Sequence, residues 1–74
     1  MTQAAKDVVA AAFGIAMGAV PDDAAVEAFE PWDSLGHVQV LAALEKKLGR
    51  SLTLEETLSI KDLASLTALL ERPR

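Results

Sequence analysis

Apolar residues recur along the chain at the spacing of α-helices, and no stretch alternates apolar and polar residues between turn signals as a strand does. The first apolar run predicts a helix that Thr2 caps and that ends near Gly14. One face of this helix carries Ala5, Val9, Ala12 and Phe13. Residues 15–33 are predicted to form mostly loop, because they are rich in Ala and Asp and contain two prolines. Val26 and Phe29 are expected to attach this loop to the core.

A second helix is predicted over residues 35–48, after the capping residues Asp33 and Ser34 and before Gly49. At about 100° per residue, its apolar residues fall on two opposite faces. The face expected to turn towards the core carries Val40, Leu41, Leu44 and Leu48. The opposite face carries Leu35, Val38 and Ala42. A small bundle needs only one buried face, so the second face is either buried as well or a docking surface.

Two capping patterns predict two short helices in the remainder of the chain. Thr-Leu-Glu-Glu at 53–56 has the pattern of a capping box and opens a short third helix. Ser-Ile-Lys-Asp at 59–62 is a second box and opens a last helix, which Pro73 stops. The inward residues of this last helix are predicted to be Leu63, Leu66 and Leu70. The fold is therefore expected to be all-α, with residues 1–74 forming one small four-helix bundle with a long loop between helices 1 and 2.

Composition limits what so short a chain does. It has 74 residues, no Cys and one His, which excludes a disulfide, a thiolate metal site and a histidine cluster for zinc. A chain of this size buries roughly 60% of the surface that its unfolded state exposes, and a catalytic pocket would remove part of that core. We therefore expect a binding, carrier or interaction module and not an enzyme.

The net charge of −4 is unevenly distributed. No Lys or Arg occurs between Lys6 and Lys46, whereas seven acids do: Asp7, Asp22, Asp23, Glu27, Glu30, Asp33 and Glu45. Because no continuous basic stripe exists, nucleic acid is not an expected partner. The acidic loop is either simply solvated or steers a basic partner surface towards the chain.

The apolar stretch from Val8 to Val20 resembles the core of a short signal peptide. Asp7 at its edge and the weak basic region before it argue against export, and the stretch is too short to span a bilayer. We therefore expect a cytoplasmic monomer that does not insert into membranes.

Ser34 stands at the predicted start of the second helix, where backbone N–H groups and the helix dipole favour an anion. A phosphodiester on its hydroxyl would be stabilised there. By position alone, a serine that only caps the helix is the more common explanation.

The residues around Ser34 are similar to a known signature. Trp-Asp-Ser-Leu-Gly-His-Val at 32–38 resembles the Asp-Ser-Leu motif of the acyl carrier protein and phosphopantetheine-binding family. The resemblance continues through Phe-Gly-Ile at 13–15, Ala-Leu-Glu at 43–45, Leu-Gly at 48–49, Glu-Glu at 55–56 and Ser-Ile-Lys-Asp-Leu-Ala at 59–64. It covers nearly the whole chain.

This resemblance implies that Ser34 carries 4′-phosphopantetheine, which a phosphopantetheinyl transferase attaches from coenzyme A. The thiol of the arm would hold acyl or aminoacyl groups as thioesters, and the chain would move them between loading and transferring enzymes. Asp33 and Leu35 adjoin the attachment site, and Asp33 either only caps the helix or also helps during loading. The implied docking residues are Leu35, Val38, Gln39, Ala42 and Lys46. The inner face would line a cavity for an apolar acyl chain.

The chain departs from the family pattern in its second helix. Fatty-acid carriers commonly have acids there, whereas this chain has Gly36, Gln39 and Lys46 at the matching positions. We therefore expect a carrier dedicated to one pathway rather than to housekeeping fatty-acid synthesis. An aminoacyl or peptidyl carrier of a nonribosomal-peptide system is the alternative within the family. Outside it, the alternative is an unmodified helical adaptor that binds partners through Leu35, Val38 and Ala42.

Three further features carry weaker expectations. Trp32 is expected to pack against the helix start, with contact to the arm or a partner as the alternative. His37 lies at the edge of the core face without a nucleophile or second base beside it, so we assign it no chemistry. The short segment 49–59 predicts a reduced third helix and cavity, which would favour short or polar cargo.

Overall fold

The structure, a computed structural model, describes residues 2–71, with side chains from Gln3 onwards. Over these residues the chain forms four α-helices and no strand, which confirms the predicted all-α four-helix fold. The helices are α1 (Thr2–Phe13), α2 (Ser34–Leu48), α3 (Leu54–Ser59) and α4 (Leu63–Leu70), and a 3-10 turn spans Met17–Ala19. The predicted cap by the Thr2 side chain and the stop at Pro73 lie outside this description.

The core lies where α1 packs against both α2 and α4. From α2, Val40 and Leu44 are fully buried, while Leu41 and Leu48 are half-buried at the edge of the core, as expected of the inner face. The other core residues are Ala5, Val8, Val9, Ala10, Val20, Ala24, Trp32, Ile60, Leu63, Leu66 and Leu69. Burying a Val or Leu side chain contributes about 1.5–3 kcal/mol, so contacts on one face are enough to fix α2.

The predicted helix ends are confirmed at two glycines and one capping box. Gly14 follows α1 with φ 66°, and Gly49 follows α2 with φ 72°, a left-handed conformation that glycine adopts without steric cost. At the start of α3, the Thr53 hydroxyl accepts the N–H of Glu56 at 3.1 Å, and the Glu56 carboxylate accepts the N–H of Thr53 at 2.9 Å. These ends position α2 and α3 from local chemistry alone.

The start of α4 differs from the predicted capping box at 59–62. The cap is Asp62, whose carboxylate accepts the N–H of Ser65 at 2.8 Å, while the Ser65 hydroxyl accepts the N–H of Asp62 at 3.0 Å. The hydroxyl of Ser59 donates to the carbonyl oxygen of Glu56 in the last turn of α3. The predicted box is therefore wrong, because Ser59 is still part of the preceding helix.

The inward face of α4 also differs from the prediction. Leu63 and Leu66 are buried as expected, but the third buried residue is Leu69, at 4% exposed. The predicted residue, Leu70, is only half-buried. On an ideal helical wheel position 70 lies only about 20° from Leu63 and position 69 about 120° from it, so packing against the rest of the fold, and not the helical period, buries Leu69.

The loop between α1 and α2 is fixed against the rest of the fold. The N–H of Val26 donates to the carbonyl oxygen of Lys61 at 2.8 Å. Val26 and Phe29 are half-buried against the core, as predicted, and the ring of Phe29 meets that of Phe13 edge-on at 6.3 Å. Trp32, near the end of the loop, is fully buried. The segment that leads into α2 is therefore packed structure.

Candidate functional site

Asp33 is the cap of α2. Its backbone is extended, and its carboxylate accepts the N–H of Gly36 at 2.8 Å, which satisfies one of the N–H groups that a helix start leaves free. Its carbonyl oxygen accepts the N–H of His37, also at 2.8 Å. The predicted capping role of Asp33 is confirmed, and a role for it in loading stays a prediction.

Ser34 is the first residue within α2 and not its cap, so the interpretation of Ser34 as a capping serine is wrong. The reason is that Asp33 already accepts the N–H that a cap would take. The Ser34 side chain is exposed, and its hydroxyl takes part in no hydrogen bond among residues 2–71. The first turn of α2 carries no acid. A free hydroxyl therefore stands at the positive end of the helix dipole.

The second apolar face of α2 is exposed. Leu35 is 74% exposed, Val38 is 60% exposed, and Ala42 is exposed as well. Burial of this face is therefore excluded. Large apolar side chains that stand together in solvent mark interaction surfaces. We call Leu35, Val38 and Ala42 the exposed face of α2, and it begins at the residue that follows Ser34.

An open groove of about 390 Å³ runs between α1 and α2 beside this face. Its lining residues are Ala11, Ala12, Gln39, Ala42, Ala43 and Lys46. Three of the predicted docking residues, Gln39, Ala42 and Lys46, thus lie on one groove, because residues three and four apart are neighbours on a helix surface. Leu35 and Val38 are not among the lining residues.

Trp32 packs against the start of α2, which confirms its predicted role. Its indole N–H donates to Nδ1 of His37 at 2.9 Å, and the two ring planes make an angle of 20° with centroids 6.2 Å apart. His37 is half-buried, and burial lowers its pKa below the usual range. Sequence reasoning gave His37 no role. The sequence feature that could have indicated a role is Trp32, five residues before His37, because the N–H of a buried tryptophan needs a hydrogen-bond acceptor.

Gly36 is buried because the preceding loop lies directly on the first turn of α2. A Cβ at this position would lie 2.0 Å from the carbonyl oxygen of Pro31 and 3.0 Å from a ring carbon of Phe13. The absence of an acid at position 36 therefore has a packing reason, which sequence comparison with the family pattern missed.

The charges in the second half of α2 are partly engaged within the chain. Glu45 accepts the N–H of Leu52 at 2.8 Å and attaches the end of α2 to the following loop. Lys47 forms an ion pair with Asp7 of α1 at 3.4 Å. Lys46 is exposed on the groove and is available to an acidic group of a partner.

No group of three or more His, Asp or Glu side chains in the described part of the chain could hold a metal ion. None of the helices described is long and apolar enough to cross a membrane. No protein-family model matches the sequence, and no curated protein matches it either.

Proposed function

We propose that the chain is an acyl carrier protein in which Ser34 bears 4′-phosphopantetheine. The observation that carries this proposal is the exposed Ser34 hydroxyl at the first position of α2, which no described residue binds. Each residue of the Asp-Ser-Leu sequence then has its own task. Asp33 caps the helix, Ser34 reacts, and Leu35 begins the exposed face.

Loading needs a hydroxyl that an enzyme can reach. Oγ of Ser34 would bond to the phosphorus that bears the pantetheine arm of coenzyme A, while the bond from that phosphorus to the nucleotide part breaks. The hydroxyl proton passes to a base of the phosphopantetheinyl transferase. The exposure of Ser34 suits this attack, and its freedom from intramolecular hydrogen bonds means that none has to break first.

The product also suits the position. The phosphodiester is an anion, and the N-terminus of α2 stabilises negative charge at Ser34. Asp33 is the nearest carboxylate in the sequence, and its capping hydrogen bond to Gly36 holds it. Once bound, the arm supplies the thiol that holds an acyl group as a thioester, in a chain that has no Cys of its own.

The exposed face of α2 suits recognition by the enzymes that load and unload the arm. Its apolar side chains are already free of the core, so binding buries them without unfolding any of the described structure. Lys46 beside the groove favours partners that present an acid there. With Gln39 and Lys46 where fatty-acid carriers have acids, we assign the carrier to a dedicated pathway in the cytoplasm.

Intact mass after incubation with coenzyme A and a broad-specificity transferase tests this proposal. We expect the wild-type chain to gain one phosphopantetheine and Ser34→Ala to gain none. Ser51→Ala is the matched control, because Ser51 is also exposed but lies outside the helices, and it should load like wild type. An unchanged mass with several transferases would favour the adaptor that binds through the exposed face of α2.

A further inference from the structure

The turn that precedes Ser34 is built around Trp32. The backbone N–H of Trp32 donates to the carbonyl oxygen of Phe29 at 2.8 Å, and its carbonyl oxygen accepts the N–H of Glu27 at 2.7 Å. Glu27 has φ 69°, which is uncommon for a residue with a side chain and persists only where surrounding contacts hold it. The hydrogen bond from the indole to His37 joins this turn to α2.

We propose that His37 is a positioning residue for Ser34. As the acceptor for the indole N–H it fixes Trp32, and Trp32 fixes the peptide that leads into Asp33 and Ser34. The inference rests on the proposed function and adds to it a residue that does not touch the reacting atoms.

The geometry makes this positioning depend on the protonation of His37. Only an unprotonated Nδ1 accepts a hydrogen bond, and a protonated one is a donor. Protonation would set two N–H groups against each other and leave the fully buried indole without its acceptor. Ser34 would then be presented less well in acid than at neutral pH.

The surroundings of His37 favour its neutral form. The group that faces it from the loop is the uncharged indole of Trp32. On its own helix, the nearest acid in the sequence is Asp33, one turn earlier, whose carboxylate is held by the N–H of Gly36. Burial accounts for the lowered pKa of His37 without a contribution from any charged side chain.

Two substitutions distinguish the role of His37 as a hydrogen-bond acceptor from the effect of its protonation. His37→Asn keeps an acceptor oxygen near the position of Nδ1 and does not titrate. His37→Leu removes the acceptor and keeps apolar bulk. The measurement is the rate of phosphopantetheine loading between about pH 5 and about pH 8, with each variant compared with wild type at the same pH. This ratio cancels the pH dependence of the transferase itself.

We expect the ratio of His37→Asn to wild type to rise about tenfold between pH 8 and one pH unit below the pKa of His37. His37→Leu should load about tenfold more slowly than His37→Asn near neutral pH, because the indole N–H has no acceptor. If His37→Leu does not fold, the pH profile of the asparagine variant still decides the matter.

An NMR titration of the apo chain gives a readout that needs no transferase. The chain has one Trp and one His, so the indole N–H and the imidazole signals are assigned directly. We expect the indole N–H to shift with the pKa of His37 in wild type and to stay still in His37→Asn. Equal rates of loading for wild type and His37→Asn at every pH would overturn the positioning role of His37 and leave the carrier proposal standing. Failure of wild type to load at all would overturn both.

Discussion

The guanidinium of Arg50 holds the carboxylate of Glu56 through two parallel hydrogen bonds, 2.9 Å to Oε1 and 2.8 Å to Oε2. The same carboxylate accepts the N–H of Thr53, so it joins the loop after α2 to the start of α3. The hydrogen bonds from Arg50, and then that from Thr53, lower the pKa of Glu56 to about 2. The position of α3 therefore depends on a charged carboxylate.

This pair predicts that stability is lost in acid. A carboxylate whose pKa is lower in the folded chain stabilises the fold above its unfolded value, near 4.5, and loses that contribution as the pH falls towards about 2. We expect Glu56→Gln to lower the melting temperature near neutral pH, and the difference from wild type to shrink across that window. Glu55→Gln, at an exposed acid of the same helix, is the control. Equal melting temperatures of Glu56→Gln and wild type at neutral pH would refute the role of the pair.

The close packing around Gly36 predicts that a larger side chain at this position destabilises the fold. Gly36→Ala places a Cβ against the carbonyl oxygen of Pro31, a backbone atom that moves only if the loop moves. We expect a loss of at least about 2 kcal/mol in the free energy of unfolding, measured with urea. Gly18→Ala, where no atom lies within 4 Å of the new Cβ, should change it by less than about 0.5 kcal/mol. Similar values for both variants would show that the loop does not press on α2.

Substitutions on the exposed face of α2 are predicted to slow the loading of phosphopantetheine without reducing the stability of the fold. Leu35→Ala and Val38→Ala should slow loading about tenfold while changing the free energy of unfolding by less than about 0.5 kcal/mol. Leu54→Ala and Leu58→Ala are matched controls, because these leucines of α3 are 74% and 76% exposed. If all four variants slow loading equally, recognition does not reside in the exposed face of α2.

The orientation of α4 predicts that alanine substitutions at two adjacent leucines destabilise the fold to different extents. Leu69→Ala should cost about 2–5 kcal/mol in chemical denaturation, because Leu69 is buried. Leu70→Ala should cost less, since Leu70 is only half-buried. The reverse order would restore the inward face that the sequence pattern predicts.

The parts of the fold that the sequence predicts are those set by near neighbours. Gly14 and Gly49 end helices because each residue itself adopts a left-handed conformation. The two faces of α2 follow from spacing alone, and Val40 is buried on the face that the spacing turns inward, whereas the exposure of Leu35 is one of two alternatives that the spacing leaves open. The assignment of Ser34 as the attachment site rests on its neighbours in the sequence and stays a prediction.

Two kinds of feature are not predicted by the sequence. In the first, two neighbouring sequences fit the same capping pattern equally well. In the second, the feature depends on contacts between distant segments. Asp33 and Ser34 are both good caps, and only the backbone conformation at Asp33 decides between them. Residues 59–62 and 62–65 both fit a capping box, and the packing of α3 selects the second. The close approach of Pro31 to Gly36 has no local pattern that would announce it.

Mass-spectrometric localisation of the group added from coenzyme A tests most directly whether Ser34 is the attachment site. The chain has four serines, at positions 34, 51, 59 and 65. Ser59 and Ser65 donate their hydroxyl hydrogens to backbone carbonyls, whereas Ser51 is exposed. We predict that phosphopantetheine is found on the peptide that contains Ser34 and on no other. Its attachment at another residue, or a chain that never acquires it, would contradict the account.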